Sequence, residues 1–203
     1  MTSRREFLQI GIAASALPLA TQAVRAAGLP PPAAEEQARV VKLYKVVYDT
    51  RIPASVAFAR RVEARGVATY PIEGDMTRFW YEDLYHRWRS EPAAIAGLTA
   101  HGPLFCLERL AWDQGLRVVF RGEHTPEDGG IIRHALSGPA SMLRDAQRAA
   151  TDTAWSERLA EIAMRVPRGR IEMGSGRAAT RARIAMPEPA DALYTWVIAP
   201  ASA

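Results

Sequence analysis

The feature that most constrains the fold is an alternation of strand-like and helix-like segments between residues 40 and 124. Strand-like segments, rich in aliphatic and tyrosine residues, occupy residues 40–50, 67–74, 92–99 and 116–124. Helix-like segments with an early Pro or Asp lie between them, at residues 53–66, 75–91 and 102–115. Short connections between alternating strands and helices favour parallel strands covered on both faces. We therefore predict an α/β fold: a single three-layer domain with a mostly parallel sheet, Rossmann-like or flavodoxin-like.

The last third of the chain has a less regular pattern. Residues 125–130 read as a turn, residues 131–138 as a strand, and residues 139–166 as one long helix or two shorter ones. Residues 168–186 fit a hairpin about Gly174-Ser175-Gly176, and residues 192–200 fit a terminal strand. Antiparallel strands are therefore expected to join the sheet in this third.

The N-terminus has the layout of an export signal. A polar start is followed by an uncharged stretch over residues 7–24, and Val24-Arg25-Ala26 fits a processing site. The motif Ser3-Arg4-Arg5-Glu6-Phe7-Leu8 resembles the twin-arginine signal of exported bacterial proteins, with Arg4, Arg5, Phe7 and Leu8 as the matching residues. Gln9 departs from that family, which often has Lys there.

This resemblance implies a secreted, periplasmic protein that crosses the membrane folded, with the twin-arginine translocation machinery as a partner. Residues 1–26 would be the signal peptide, residues 27–39 a Pro/Ala-rich linker and residues 40–203 the α/β domain. The uncharged stretch is too weakly apolar to span a bilayer well, so we expect no stable membrane span after processing.

Composition excludes several classes of function. The single cysteine, Cys106, precludes an internal disulfide and a thiolate-caged zinc or iron–sulfur site. Net charge is +4, of which the signal carries +2 through three arginines against Glu6, so the domain does not resemble a nucleic-acid binder. Dinucleotide, P-loop and hydrolase-elbow glycine motifs are missing, and histidine spacing supports no metal site. Which cofactor the protein carries, if any, is unknown from the sequence.

Candidate site residues follow from the rule that ligands bind beyond the carboxyl ends of parallel strands, where strand order reverses. If the four predicted strands, numbered in chain order, lie side by side as 2-1-3-4, the reversal falls between the first and third strands. A crevice there would be shared by Asp49, Arg51, Thr99 and His101. As catalytic candidates, Asp49 would be the orienting group and His101 would transfer a proton, while Arg51 would bind a small anionic ligand. Other strand-end candidates for ligand binding are Ser55, Asp75, Thr77, Glu123 and His124. The alternative is that Asp49 and Thr99 cap helices and that Arg51 pairs locally.

Two functions stay open at this point. One is a small-ligand-binding protein or accessory subunit of an exported redox complex, with a partner surface on the aromatic helix Arg78–Trp88. The other is an α/β enzyme that acts on a small anionic substrate with His101 as acid and base. A large exposed aromatic patch would favour the first, and His101 hydrogen-bonded to a carboxylate beside a pocket would favour the second.

Replacing both signal arginines tests the export prediction. Arg4→Lys combined with Arg5→Lys keeps the charge but removes the twin-arginine motif, so unprocessed precursor should accumulate in the cytoplasm. Immunoblots of cytoplasmic and periplasmic fractions measure this. Normal processing of the double variant would contradict the prediction.

Overall fold

The computed structural model describes residues 40–168, 176–184 and 191–201. The predicted signal and linker (residues 1–39) and the predicted turn at Gly174-Ser175 lie outside the described residues.

Seven strands and five helices make up the described domain. The strands are β1 (Leu43–Asp49), β2 (Thr69–Ile72), β3 (Ala94–Thr99), β4 (Leu116–Glu127), β5 (Ile131–Ser137), β6 (Arg177–Arg183) and β7 (Leu193–Pro200). The helices are α1 (Pro53–Glu63), α2 (Thr77–Phe79, Trp80–Leu84 and Tyr85–Ser90 in succession), α3 (His101–Trp112), α4 (Ala140–Ala150) and α5 (Trp155–Ala163). Residues 139–166 thus form two helices, one of the two alternatives expected. None of the helices in the described ranges is long and apolar enough to cross a membrane.

The sheet is mixed, with strand order β2-β1-β3-β7-β4-β5-β6. Only β1 pairs in parallel, with β2 on one side and β3 on the other, and the remaining four pairings are antiparallel. The α/β domain is therefore as predicted, but the expectation of a mostly parallel sheet was too strong. The reason is that the C-terminal strand β7 inserts between β3 and β4, which the sequence pattern would place side by side.

Two hydrophobic cores lie on opposite faces of the sheet, which gives the three layers. On one face, α1, α4 and α5 cover a core that includes Phe58, Phe120 and Trp155. On the other face, α2 and α3 cover a core that includes Phe79, Trp88 and Trp196. Because residues alternate between faces along a strand, adjacent residues of β1 enter different cores: Val46 the first and Val47 the second.

The β4–β5 hairpin depends on two glycines at its turn. Gly129 and Gly130 have φ values of 75° and 69°, the left-handed region that side chains disfavour. Consecutive positive φ values are the geometry of tight hairpin turns, whose twist matches that of the strands. The predicted turn at residues 125–130 is correspondingly shorter than expected, because β4 continues to Glu127.

The aromatic helix α2 contains a π-helical segment that holds a polar contact. Within that segment, Asp83 accepts a 2.6 Å hydrogen bond from the hydroxyl of Tyr44 and forms an ion pair with Lys45 on β1. Burial alone would lower the pKa of Lys45, but the hydrogen bond and charge of Asp83 outweigh it and raise that pKa. The wider turn of a π segment alters which residues face the sheet, and here it accompanies a carboxylate directed at β1.

Trp196 fills the space above Gly97 at the centre of the sheet. Trp196 on β7 is fully buried and is the direct neighbour of Gly97 on β3. A Cβ added at Gly97 would lie 2.5 Å from the Trp196 ring and 2.6 Å from the carbonyl oxygen of Val47. No side chain fits there without moving the backbone of β1 or the indole.

A methyl group at this position should therefore destabilise the domain. Gly97→Ala should lower the free energy of unfolding by about 1–3 kcal/mol, the usual cost of overpacking a core. Gly102→Ala is the matched control because a Cβ there meets nothing within 4 Å, and it should leave stability unchanged or slightly raised. Thermal and urea unfolding measure both, and equal stability of the two variants would contradict the packing described.

Candidate functional site

The carboxyl ends of β1, β2 and β3 lie along one rim, and strand order reverses between β1 and β3 as predicted. Tyr48 pairs with Leu98, so the next residues, Asp49 and Thr99, end neighbouring strands on the same rim. The predicted crevice residues are thus brought to adjacent strand ends. Their contacts determine which of them are available to a ligand.

Asp49 and Arg51 bind each other at the end of β1. The guanidinium of Arg51 donates from Nε and Nη2 to the two carboxylate oxygens of Asp49 at 2.9 and 2.7 Å, and the Arg51 backbone N–H donates to the same carboxylate. Burial would raise the pKa of Asp49, but the hydrogen bonds and positive charge of Arg51 hold it below its usual value. An anion must therefore compete with a buried carboxylate for Arg51, as the local-pairing alternative implies.

Ser55 and Thr99 serve the packing of the strand ends. The Ser55 hydroxyl accepts a 2.8 Å bond from the Asp49 N–H and donates to the Leu98 carbonyl, which joins β1 to β3. The Thr99 hydroxyl accepts a 3.1 Å bond from Trp196 Nε1 and donates to the Ala100 carbonyl. Both hydroxyls are buried and fully used. Neither Asp49 nor Thr99 caps a helix through its side chain.

The candidates beyond β2 and β4 lie apart from this pair. Asp75 accepts hydrogen bonds from the backbone and hydroxyl of Thr77 at the exposed start of α2, but the N-cap residue of that helix is Met76 and no side chain caps it. Glu123 and His124 lie within β4 and not at its end, because that strand continues to Glu127. Alternation sends them to opposite faces: Glu123 to the face of α3, and His124 into the core below.

His101 begins α3 and is exposed. Its ring lies 5.9 Å from the Phe105 ring and 5.4 Å from the Tyr194 ring, between centroids. Among residues 40–168, 176–184 and 191–201, no carboxylate forms a hydrogen bond with it. His101 is thus part of an aromatic group at the start of α3.

The aromatic group belongs to one side of α3 that carries rings from the start of the helix to its end. His101, Phe105, Glu108 and Trp112 recur at the three- and four-residue spacing that aligns side chains on a helix. Glu108 forms a 2.6 Å ion pair with Arg121 on β4, so this side of the helix faces β4. We call these four residues, with Arg109 beside them, the α3 flank.

Apolar surface is exposed on the α3 flank. Phe105 and Trp112 are 48% and 45% exposed. The guanidinium carbon of Arg109 lies 5.5 Å from the centre of the Phe105 ring and 4.4 Å from that of Trp112. Stacking of a cation on two rings orders the three side chains. In contrast, most rings of the aromatic helix α2 face the core, and Tyr81 is the large apolar side chain that it exposes.

The most unusual polar group of the interior is a histidine pair that the sequence analysis missed. His124 on β4 and His134 on β5 are directly paired in register and fully buried, with their Nδ1 atoms 2.8 Å apart. His124 Nε2 lies 2.8 Å from the Thr195 hydroxyl on β7, and the Trp155 ring covers both imidazoles. The Nε2 atom of His134 has no hydrogen-bond partner among the described residues. The alternation of buried and exposed residues over 131–137 could have indicated that His134 is buried. It could not have given the strand register that pairs His134 with His124.

Both imidazoles are held neutral. Burial lowers the pKa of His134 to about 4, and burial together with the charge of His134 lowers that of His124 well below its usual value. Only one of the facing Nδ1 atoms carries a proton, and it donates a hydrogen bond to the other Nδ1. In the described parts of the chain, no group of three His, Cys, Asp or Glu side chains is placed to hold a metal ion.

Comparisons with known proteins give no relative from which a function could be transferred. No protein-family model matches the chain, and no match was found among curated proteins or solved structures.

The histidine pair predicts a loss of stability in mild acid. A histidine whose pKa is lower when folded than when unfolded stabilises the fold above the unfolded pKa, about 6.5. This stability decreases as the pH falls from 6.5 towards 4, by about 1.4 kcal/mol per pH unit for each neutral histidine. Urea unfolding between pH 6.5 and 4.5 should therefore show a falling midpoint.

Replacing both rings isolates their contribution. The variant His124→Leu with His134→Leu should unfold with much weaker pH dependence over that window, because it no longer takes up these protons. His86→Gln, which changes an exposed histidine, should keep the wild-type slope. An unchanged slope in the double variant would show that other groups cause the acid sensitivity.

Proposed function

We propose that this protein is an exported accessory protein that binds a folded partner through the α3 flank. The observation that carries the proposal is the row of exposed rings on that flank, with Arg109 stacked on both Phe105 and Trp112. Neither ring is required to complete the core beneath α3, which Leu104, Leu107 and Ala111 fill. Aromatic and arginine side chains dominate the energy of protein interfaces, so such a row favours a docking role.

The resemblance of residues 1–26 to a twin-arginine signal supports a periplasmic location. A protein exported folded can meet other folded, exported proteins in that compartment. A subunit of an exported redox complex is the partner that this route favours. Because the chain has a signal of its own, it would not need a partner to carry it across the membrane.

The enzymatic alternative has less support from the geometry. Catalysis on a small anionic substrate requires an arginine available to the anion and a histidine oriented for proton transfer. Arg51 is held by Asp49 on both carboxylate oxygens, and His101 contacts aromatic rings. The same His101 fits the docking role directly, since it extends the exposed row of the α3 flank.

Truncating the rings tests the docking role. The variant Phe105→Ala with Trp112→Ala should lose most of its partner, because exposed interface rings each contribute about 1–2 kcal/mol or more to binding. Tyr81→Ala is the matched control: it removes a 66% exposed ring from α2, the surface that the sequence alone favoured. Tagged proteins purified from the native periplasm and analysed by light scattering and crosslinking mass spectrometry measure partner content.

The control also separates the two surfaces. Crosslinks should involve α3 and disappear in the double variant while the Tyr81 variant keeps its partner. Retention of the partner by the double variant, or its loss only in the Tyr81 variant, would contradict docking through α3.

A further inference from the structure

We propose that the face of β4, β5 and β6 on which the described residues place no helix, together with the α3 flank, binds an acidic polypeptide segment of the partner. This inference rests on the proposed docking function and specifies the chemistry of the partner segment that binds. We call this surface the basic floor, defined by the side chains of the three strands that face the same side as α3.

Strand register identifies the residues of the basic floor. Pairing aligns Thr125 with Arg133 and Arg133 with Arg181 across the three strands. Alternation then places every second residue on that face: Arg121, Glu123, Thr125, Glu127, Ile131, Arg133, Ala135, Ser137, Arg177, Ala179, Arg181 and Arg183. The residues between them enter the core under α4 and α5, as Ile132, Leu136 and Ala182 do.

Positive charge dominates the basic floor. It holds five arginines against two glutamates. Glu127 is shared between Arg133 at 3.1 Å and Arg181 at 3.0 Å, so one carboxylate serves two guanidinium groups. Arg181 remains 67% exposed despite this contact, and Arg177 and Arg183 on the same strand are exposed. The excess charge is therefore directed to solvent, where an acidic partner could reach it.

Arg121 links the basic floor to the α3 flank. Its Nη2 atom donates to Glu108 on α3, whereas its Nε is buried without a hydrogen-bond partner in the described parts of the chain. Tyr194 continues this junction, between His101 on α3 and Glu123 on β4. Guanidinium groups and aromatic rings therefore lie next to each other along the boundary where α3 packs on the sheet.

The shape of this surface favours a polypeptide over a membrane. The basic floor carries small residues such as Ala135, Ser137 and Ala179 among its arginines. Beside it, α3 rises by about the diameter of a helix, roughly 10 Å. A planar bilayer in contact with α3 would stay above the floor. An extended or helical segment fits the step, with carboxylates on the arginines and an apolar residue against Phe105 or Trp112.

Binding of a simple acidic polymer tests the proposal. The probe is fluorescently labelled poly-L-glutamate, and its anisotropy is measured with the mature exported protein at rising salt. Arg177→Glu, Arg181→Glu and Arg183→Glu combined should weaken binding about tenfold or more, because charge reversal in a binding surface repels the ligand.

The control combines Arg60→Glu, Arg144→Glu and Arg148→Glu, which are exposed on α1 and α4 over the opposite face. It changes net charge equally and should alter binding by less than about twofold. Thermal unfolding verifies that both variants fold.

Each outcome bears on the proposal. Selective loss of binding in the floor variant supports it. Equal weakening in both variants would reveal net-charge attraction alone and overturn it, as would no binding. Phosphatidylglycerol vesicles captured by the floor in preference to poly-L-glutamate would identify a membrane surface and overturn it too.

The partner assay separates this inference from the docking function. If the Phe105 and Trp112 double variant loses the partner but the floor variant retains it, docking through α3 stands and the acidic-segment proposal falls. If both variants retain the partner, the docking function itself falls. Loss of the partner in both supports the combined surface.

Discussion

The antiparallel insertion of β7 between β3 and β4 joins the two halves of this domain. On one side of β7 lie the parallel strands β2, β1 and β3, and on the other the antiparallel strands β4, β5 and β6. Trp196 on β7 packs on Gly97, and its indole N–H binds Thr99 on β3. Thr195, the preceding residue, contacts His124 on β4. Neighbouring residues of one strand thus fix both halves, one on each face of the sheet.

This junction also determines which face remains available for binding. On one side of the sheet, α1, α4 and α5 extend the core across both halves. On the other side, α2 and α3 cover the parallel half and the first part of β4. The arginines of β5 and β6 therefore face outwards beside the α3 flank. Because the described helices cover one face of the sheet more fully than the other, an arginine-rich strand surface lies next to exposed aromatic rings. Both proposals follow from this arrangement.

Local pattern predicted most of the elements but little of the candidate site. Alternation, early prolines and terminal glycines located β1 to β4 and the helices between them, because these signals depend on near neighbours. The insertion of β7 depends on pairing between residues about 70 to 100 positions apart, which a pattern at the C-terminus does not specify. The His124–His134 contact was missed for a different reason: the two residues are close in the chain, but the pattern did not specify the register of the β4–β5 hairpin. The ends of β1, β2 and β3 lie on one rim as expected, whereas β4 continues past its predicted end. At that rim, Asp49, Ser55 and Thr99 are committed to internal hydrogen bonds.

Hydrogen exchange of the backbone amides of β7 tests the joining role of this strand most directly. If β7 unites the domain, its amides should be among the slowest to exchange, and those of β3 and β4 should open with the same free energy, that of global unfolding. The account would be contradicted if β4, β5 and β6 exchanged as a separate unit, well before β1 and β3. In that case the β7 amides that bond to β4 would also be unprotected.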